Sequence, residues 1–189
     1  IDTGAPVNDQ TAFDAASLTK PMAAYAVLQL VDAGLLDLDE PPSRFAPLIV
    51  PDDASAALLT TRHLLSHTGG LQNLRGAEPL KMYFKPGAWF SYASVGFTYL
   101  QAAIELRTGE PLESIMRRLV FEPLGMHSSS LEWQARWSGH VASPHEGGLR
   151  TDKHVAPVAN ASYSLQTTAA DYASFVVAVL KANRLRPST

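Results

Sequence analysis

Phe13-Asp14-Ala15-Ala16-Ser17-Leu18-Thr19-Lys20-Pro21 closes an irregular lead-in and opens the first long apolar run of the sequence. From there Leu18, Met22, Tyr25, Ala26, Leu28 and Val31 recur at mixed three- and four-residue steps, which predicts a largely buried helix from about Ser17 to a stop at Gly34. Pro21 suits its first turn, where the amide has no intrahelical partner. Ser17 and Lys20 are one helical turn apart, so hydroxyl and amine project from one face. A serine hydroxyl becomes a strong nucleophile when a neighbouring base takes its proton, and a lysine is such a base where burial lowers its pKa. A helix N-terminus adds free amides and a dipole that favour the oxyanion of acyl transfer, with the Ser17 amide as the natural donor. Spacing alone is thin support, because Ser-x-x-Lys arises by chance on the order of once in a chain this long.

Further along, Thr60 or Thr61 can cap a short helix through Ser66 that Gly69-Gly70 terminates. Phe90 and Tyr92 follow the Pro86-Gly87 turn in a strand-like or turn segment. A second strong helix is predicted from about Val95 to Thr108, closed by Gly109, and a third from Leu112 to Phe121. Residues 125 to 161 dissolve into Ser, Gly, Pro and His, too long for an ordinary connection and expected to be a functional or substrate-facing excursion. Thr168-Ala169-Ala170-Asp171 resembles a capping box ahead of an amphipathic helix through Tyr172, Phe175, Val176, Val179 and Leu180. Tyr92-Ala93-Ser94, just before a helix, is placed where a tyrosine and a short polar side chain can project into a cleft.

The whole chain narrows the choices. Its 189 residues, 46% of them apolar, can bury a proper core and predict a single domain over 1–189. A net charge of -3 with no run of Lys or Arg sets nucleic-acid binding aside. No stretch reaches the ~20 consecutive apolar residues of a membrane span. The absence of cysteine removes disulfides, thiol nucleophiles and thiolate metal sites, and leaves the compartment open. The start at Ile1 without Met and the end at Thr189 lead to the expectation of a fragment.

Five segments together carry a family resemblance. Phe13 to Pro21 resembles the nucleophile segment of class C β-lactamases and related esterases, within the penicillin-binding-protein superfamily. Leu64-Leu65-Ser66-His67-Thr68-Gly69-Gly70-Leu71 looks like their helix-to-loop segment, and Phe90-Ser91-Tyr92-Ala93-Ser94-Val95-Gly96-Phe97 is similar to their tyrosine motif. Phe121 to Met126 resembles a helix-closing segment, and Thr167 to Tyr172 a late helix start. The likeness covers nearly the whole chain. It implies an α+β β-lactamase/transpeptidase-like fold, of which this chain is mainly the helical region with flanking strands missing or incomplete. It implies Ser17 as acylated nucleophile, Lys20 as proton acceptor, Tyr92 as proton shuttle and Ser94 as a substrate-facing donor, with no cofactor.

Two departures bear on substrate. Ser94 stands where the β-lactamase pattern has asparagine, which favours an esterase over recognition of a lactam side-chain amide. The third motif, Lys or His then Thr or Ser then Gly on a cleft strand, is not found after Ala161, and His67-Thr68-Gly69 reads as a structural turn. Half of the oxyanion hole is therefore expected from a missing segment or a second chain that completes the sheet. The implied substrates are small esters, lactams or D-Ala peptides, and a non-catalytic binding module is the alternative.

Other constellations are weaker. His63 and His67 have a metal-binding spacing, but Leu64 replaces the glutamate of the zinc-protease motif, so capping and packing are expected of them. His140, His145 and His154 have unspecific spacing, and no metal is assigned. No Gly-x-Ser-x-Gly elbow supports a Ser-His-Asp triad. Trp133 and Trp137 are candidates for lining an acyl pocket.

Overall fold

In chain order the elements are β1 (Phe13–Ala16), α1 (Thr19–Asp32), α2 (Thr61–Leu65), α3 (Ser94–Thr108), α4 (Leu112–Met116), β2 (His145–Glu146), β3 (Leu149–Arg150), β4 (Leu165–Thr167) and α5 (Ala169–Leu180). The computed structural model describes residues 6–153 and 155–187. Residues 1 to 5 of the irregular lead-in expected over 1 to 16, and His154, lie outside the described residues. Helices dominate, and the described strands form two two-stranded sheets, β1 with β4 and β2 with β3.

The lead-in is not irregular up to Ser17. β1 pairs antiparallel with β4, Phe13 opposite Thr167, Asp14 opposite Gln166 and Ala16 opposite Leu165, so Ala15 is bulged out of the ladder. Asp14 Oδ1 accepts the Ala16 amide at 3.0 Å, and Ala16 lies in the left-handed region at φ 44°. That conformation costs an alanine about 1–2 kcal/mol and turns the chain sharply at the residue before Ser17. α1 therefore starts two residues later than predicted, at Thr19, and Ser17 stands on the turn between strand and helix. Thr19 locks the corner: its hydroxyl donates to the Ala16 carbonyl at 2.6 Å and accepts the Leu165 amide at 3.0 Å.

Apolar packing fixes the rotation of α1. Met22 and Tyr25 enter one cluster with Phe97, Met116, Phe121 and Phe175, while Val27 and Leu30 enter a second with Leu59, Leu64, Leu100 and Ile104. Burying each large side chain contributes about 1.5–3 kcal/mol, so rolling the helix to point Lys20 elsewhere would cost several such terms. Gly96 of α3 lets α2 come close, since a Cβ there would sit 3.3 Å from Leu64 Cδ2.

α4 runs into a π-helical turn over Arg117–Phe121, matching the predicted third helix. Its Glu113 carboxylate is buried and accepts the Leu131 amide at 2.7 Å and the Ser130 hydroxyl at 2.8 Å, pinning residues 130–131. Glu113→Ala is expected to lower unfolding free energy by about 2–3 kcal/mol, because the Leu131 amide loses its acceptor in the interior. Burial pushes the Glu113 carboxyl up, against the Leu131 and Ser130 hydrogen bonds and the Arg117 charge that pull it down. A raised folded-state value means a favourable contribution below the unfolded-state value that is lost as pH rises through the folded one. In urea titrations, wild type should gain stability relative to Glu113→Gln as pH falls from neutrality toward the ordinary glutamate range.

The segment 125 to 161 is mostly irregular, interrupted by a 3₁₀ turn at Ala135–Trp137 and the β2–β3 hairpin. Its tryptophans pack on each other beside the chain that leads into β1. Trp137 is buried with Ala12 and Val141, and Trp133 packs edge-on against it at 5.9 Å, because Ala12 exchanges backbone hydrogen bonds with His140 and Ala142. α5 is capped by Thr168, whose hydroxyl accepts the Asp171 amide at 3.2 Å. No capping box closes, since the Asp171 carboxylate instead takes the Ser128 amide and the Ser129 hydroxyl. Phe175 and Ala178 are the buried residues of α5, whereas Val176, Val179 and Leu180, expected on its apolar face, are exposed.

Candidate active site

Ser17 is exposed at the rim of an open cleft of about 570 Å³ whose walls include Lys20, Leu65, His67, Tyr92 and Phe97. Its amide donates to no other group among the described residues. Lys20 is only 4% exposed, and its Nζ donates to Ser17 Oγ at 3.0 Å and to the Ser162 carbonyl at 2.7 Å. The Ser162 carbonyl is held by a tight turn: Asn160 Oδ1 accepts both the amide and the hydroxyl of Ser162, and Ser164 Oγ accepts the Asn160 amide at 2.8 Å. The lysine is thus aimed by a carbonyl far along the chain as well as by its own helix.

Lys20 Nζ also lies 4.8 Å from the centroid of the Tyr92 ring. Burial would raise the Tyr92 phenol, but the side chains of Lys20 and Ser17, the Lys20 charge and Ser94 act the other way and hold it below its ordinary value. Hydroxyl, amine and phenol therefore share one locus. Ser94 opens α3 half-buried and lines an adjoining pocket of about 440 Å³ with Asn73, Leu74, Arg75, Thr98 and Tyr163.

The loop carrying Tyr92 is laced to the turn after α2. Thr60 caps α2 in a box that His63 reciprocates, as expected of a capping histidine. The glycines do not end α2; His67 does, at φ 57°, so that a histidine occupies the left-handed position. Gly70 follows at φ 77° directly against the Phe84 backbone, where an added Cβ would come within 2.1 Å of the Phe84 carbonyl oxygen. From this turn the carbonyls of Gly70, Thr68 and His67 accept the amides of Tyr83, Gly87 and Ser91. His67-Thr68-Gly69 is thus a supporting turn.

All four residues singled out from sequence fall in or beside one cleft. Missing from that reading were the Ser162 carbonyl, Asn73 and Tyr163, and any part for His67 beyond packing. Asn160-x-Ser162-x-Ser164 is an Asx-turn pattern that could have marked the loop. Nothing local could have marked a backbone carbonyl 142 residues from its lysine. Among the described residues no three His, Cys, Asp or Glu side chains are grouped so as to hold a metal ion, and no helix is long and apolar enough to cross a membrane.

Comparison with known proteins gives a consistent result. The sequence model of a family described as Beta-lactamase matches residues 1–189. Esterase EstB of Burkholderia gladioli is 35% identical over 156 residues, 66% of this chain and 40% of that protein. Penicillin-binding protein 4 of Amycolatopsis lactamdurans is 34% identical over 173 residues, 82% of this chain and 45% of that protein. A solved class C β-lactamase superposes with a TM-score of 0.82 at 22% identity, over 95% of this chain and 53% of its own. That likeness shows the β-lactamase/transpeptidase fold. The chain spans less than half the length of these two curated relatives.

Proposed function

Since the chain belongs to the β-lactamase family, we propose that the protein is a serine acyl hydrolase working through an acyl-enzyme on Ser17, most suited to small esters. The observation that carries this reading is Lys20 Nζ at 3.0 Å from Ser17 Oγ, with the Tyr92 ring beside the same amine. In the neutral amine the hydrogen bond reverses, and the Ser17 hydroxyl donates to the Nζ lone pair. As Oγ bonds to the substrate carbonyl carbon, Lys20 takes its proton, and the carbonyl π electrons move to oxygen. The Ser17 amide donates to that oxyanion. Collapse expels the alcohol or amine, which takes a proton delivered through Tyr92. Water then gives a proton back along the same route to Lys20, attacks the acyl carbon and displaces Oγ, which recovers that proton from Lys20.

A second oxyanion donor is expected outside these 189 residues, so activity is a property of the full-length protein. Ser94 in place of asparagine supports the ester preference, and the esterase among the relatives adds to it. Lactams and D-Ala peptides pass through the same acyl-enzyme stage and remain the alternative substrates. Full-length protein treated with a fluorophosphonate and digested should carry the phosphonyl adduct on the peptide containing Ser17. Turnover of a short-chain p-nitrophenyl ester should exceed that of a chromogenic cephalosporin and of a D-Ala-D-Ala peptide. A folded protein unlabelled at Ser17 would overturn the enzyme reading in favour of a binding module.

A further inference from the structure

The imidazole of His67 lies against the Tyr92 ring, centroids 4.4 Å apart and planes inclined by 36°. Phe97 and Phe90 flank it at 5.3 Å and 6.0 Å. The same residue holds the backbone on both sides of Tyr92. Its carbonyl accepts the Ser91 amide at 2.9 Å, and its Nδ1 accepts the Ala93 amide at 3.1 Å. A ring nitrogen that accepts an amide hydrogen carries no proton, which fixes the ring as the Nε2–H tautomer. The left-handed backbone at φ 57° is one a non-glycine residue holds only where its surroundings impose it.

Resting on the acyl-hydrolase reading, we propose that His67 is a positioning residue whose neutral imidazole seats Tyr92 against Ser17 and Lys20, and whose protonation at Nδ1 unseats the tyrosine and shuts the site down. Protonation turns the acceptor into a donor facing the Ala93 amide, so the clamp on the C-terminal side of Tyr92 opens. It also sets a second positive charge beside Lys20. Burial, and after it the Lys20 charge, hold the imidazole below its ordinary value, so release falls on the acidic side of neutrality. The titratable groups facing the ring are Lys20 from α1 and Tyr92 from the loop; α2 and α3 present Leu65 and Phe97.

Two substitutions in the full-length protein separate positioning from packing. His67→Asn keeps an acceptor oxygen near the Nδ1 position and tolerates the left-handed backbone, yet cannot titrate. His67→Ala removes acceptor and ring together. Wild type should lose Ser17 acylation by a fluorophosphonate on acidification through two protons, one on the Lys20 base and one on His67. His67→Asn should keep the neutral-pH rate within about tenfold and lose the second of them, leaving a one-proton limb. His67→Ala should lose on the order of 10²-fold in ester kcat, with KM little changed. Nitrogen-15 spectra of the substrate-free protein should show His67 unprotonated at Nδ1 at neutral pH. An Nδ1–H tautomer, or an acid limb unchanged in a folded His67→Asn, overturns the positioning role alone. A folded wild type that never acylates overturns the acyl-hydrolase reading and this one with it.

Discussion

Ser17→Ala is expected to abolish phosphonate labelling and to lower ester turnover by at least ~10³-fold, while leaving thermal stability within about 1 kcal/mol of wild type. The two halves of that expectation have separate causes. Ser17 is exposed on a turn outside α1, and its hydroxyl accepts a hydrogen bond from Lys20 and meets the Tyr92 phenol. Removing it costs no buried surface, and Lys20 keeps the Ser162 carbonyl as acceptor. On the proposed mechanism, the chemistry loses the atom that bonds to the substrate carbon. Intact-mass spectrometry after labelling, paired with a calorimetric melt, reads both halves in one preparation. A fully labelled Ser17→Ala protein would move the nucleophile elsewhere.

The parts of this fold that were plain in the sequence are those that bury a periodic apolar face. Met22, Tyr25 and Ala26 repeat at helical spacing on α1 because each side chain packs in the core, whereas Leu18, read with them, is exposed just before the helix. β1 and β4 were not plain. Four and three residues are too few for an alternation to register, β1 is largely exposed, and their pairing joins positions about 150 apart. Missing β1 moved the predicted helix start forward onto Ser17, since nothing local announces that Ala16 turns left-handed.

Ser17, Lys20 and Tyr92 were singled out by the resemblance of their flanking segments, since their spacing alone is thin support, and the structure brings the three side chains together. The supports of that site were not legible in the sequence. The Ser162 carbonyl could come from any residue, and His67 reads as a packing histidine until the Ser91 and Ala93 amides are seen to converge on it. Backbone groups have no sequence signature, so a reading of side-chain motifs finds candidate side chains and misses what aims them.

Lys20→Met should show how little of this lysine's worth is structural. Methionine fills nearly the same volume among Tyr92, Phe97 and the α1 core, but offers no donor. The Ser162 carbonyl then loses its partner at a cost of about 1–3 kcal/mol. Relief from burying a lone amine without a carboxylate offsets that cost, so the melting temperature should hold or rise. Turnover should fall by ~10³–10⁴-fold, about 4–5.5 kcal/mol of transition-state stabilisation, because the Ser17 hydroxyl loses the amine that takes its proton on the proposed mechanism. The phenol supplies an independent reading. Lys20 is the largest influence holding Tyr92 below its ordinary value, and burial alone would raise it, so ultraviolet titration of the variant should find Tyr92 ionising at higher pH than in wild type. A variant with turnover lost and the phenol unmoved would mean that Lys20 and Tyr92 do not share one site in solution, and the proton relay between them would fall.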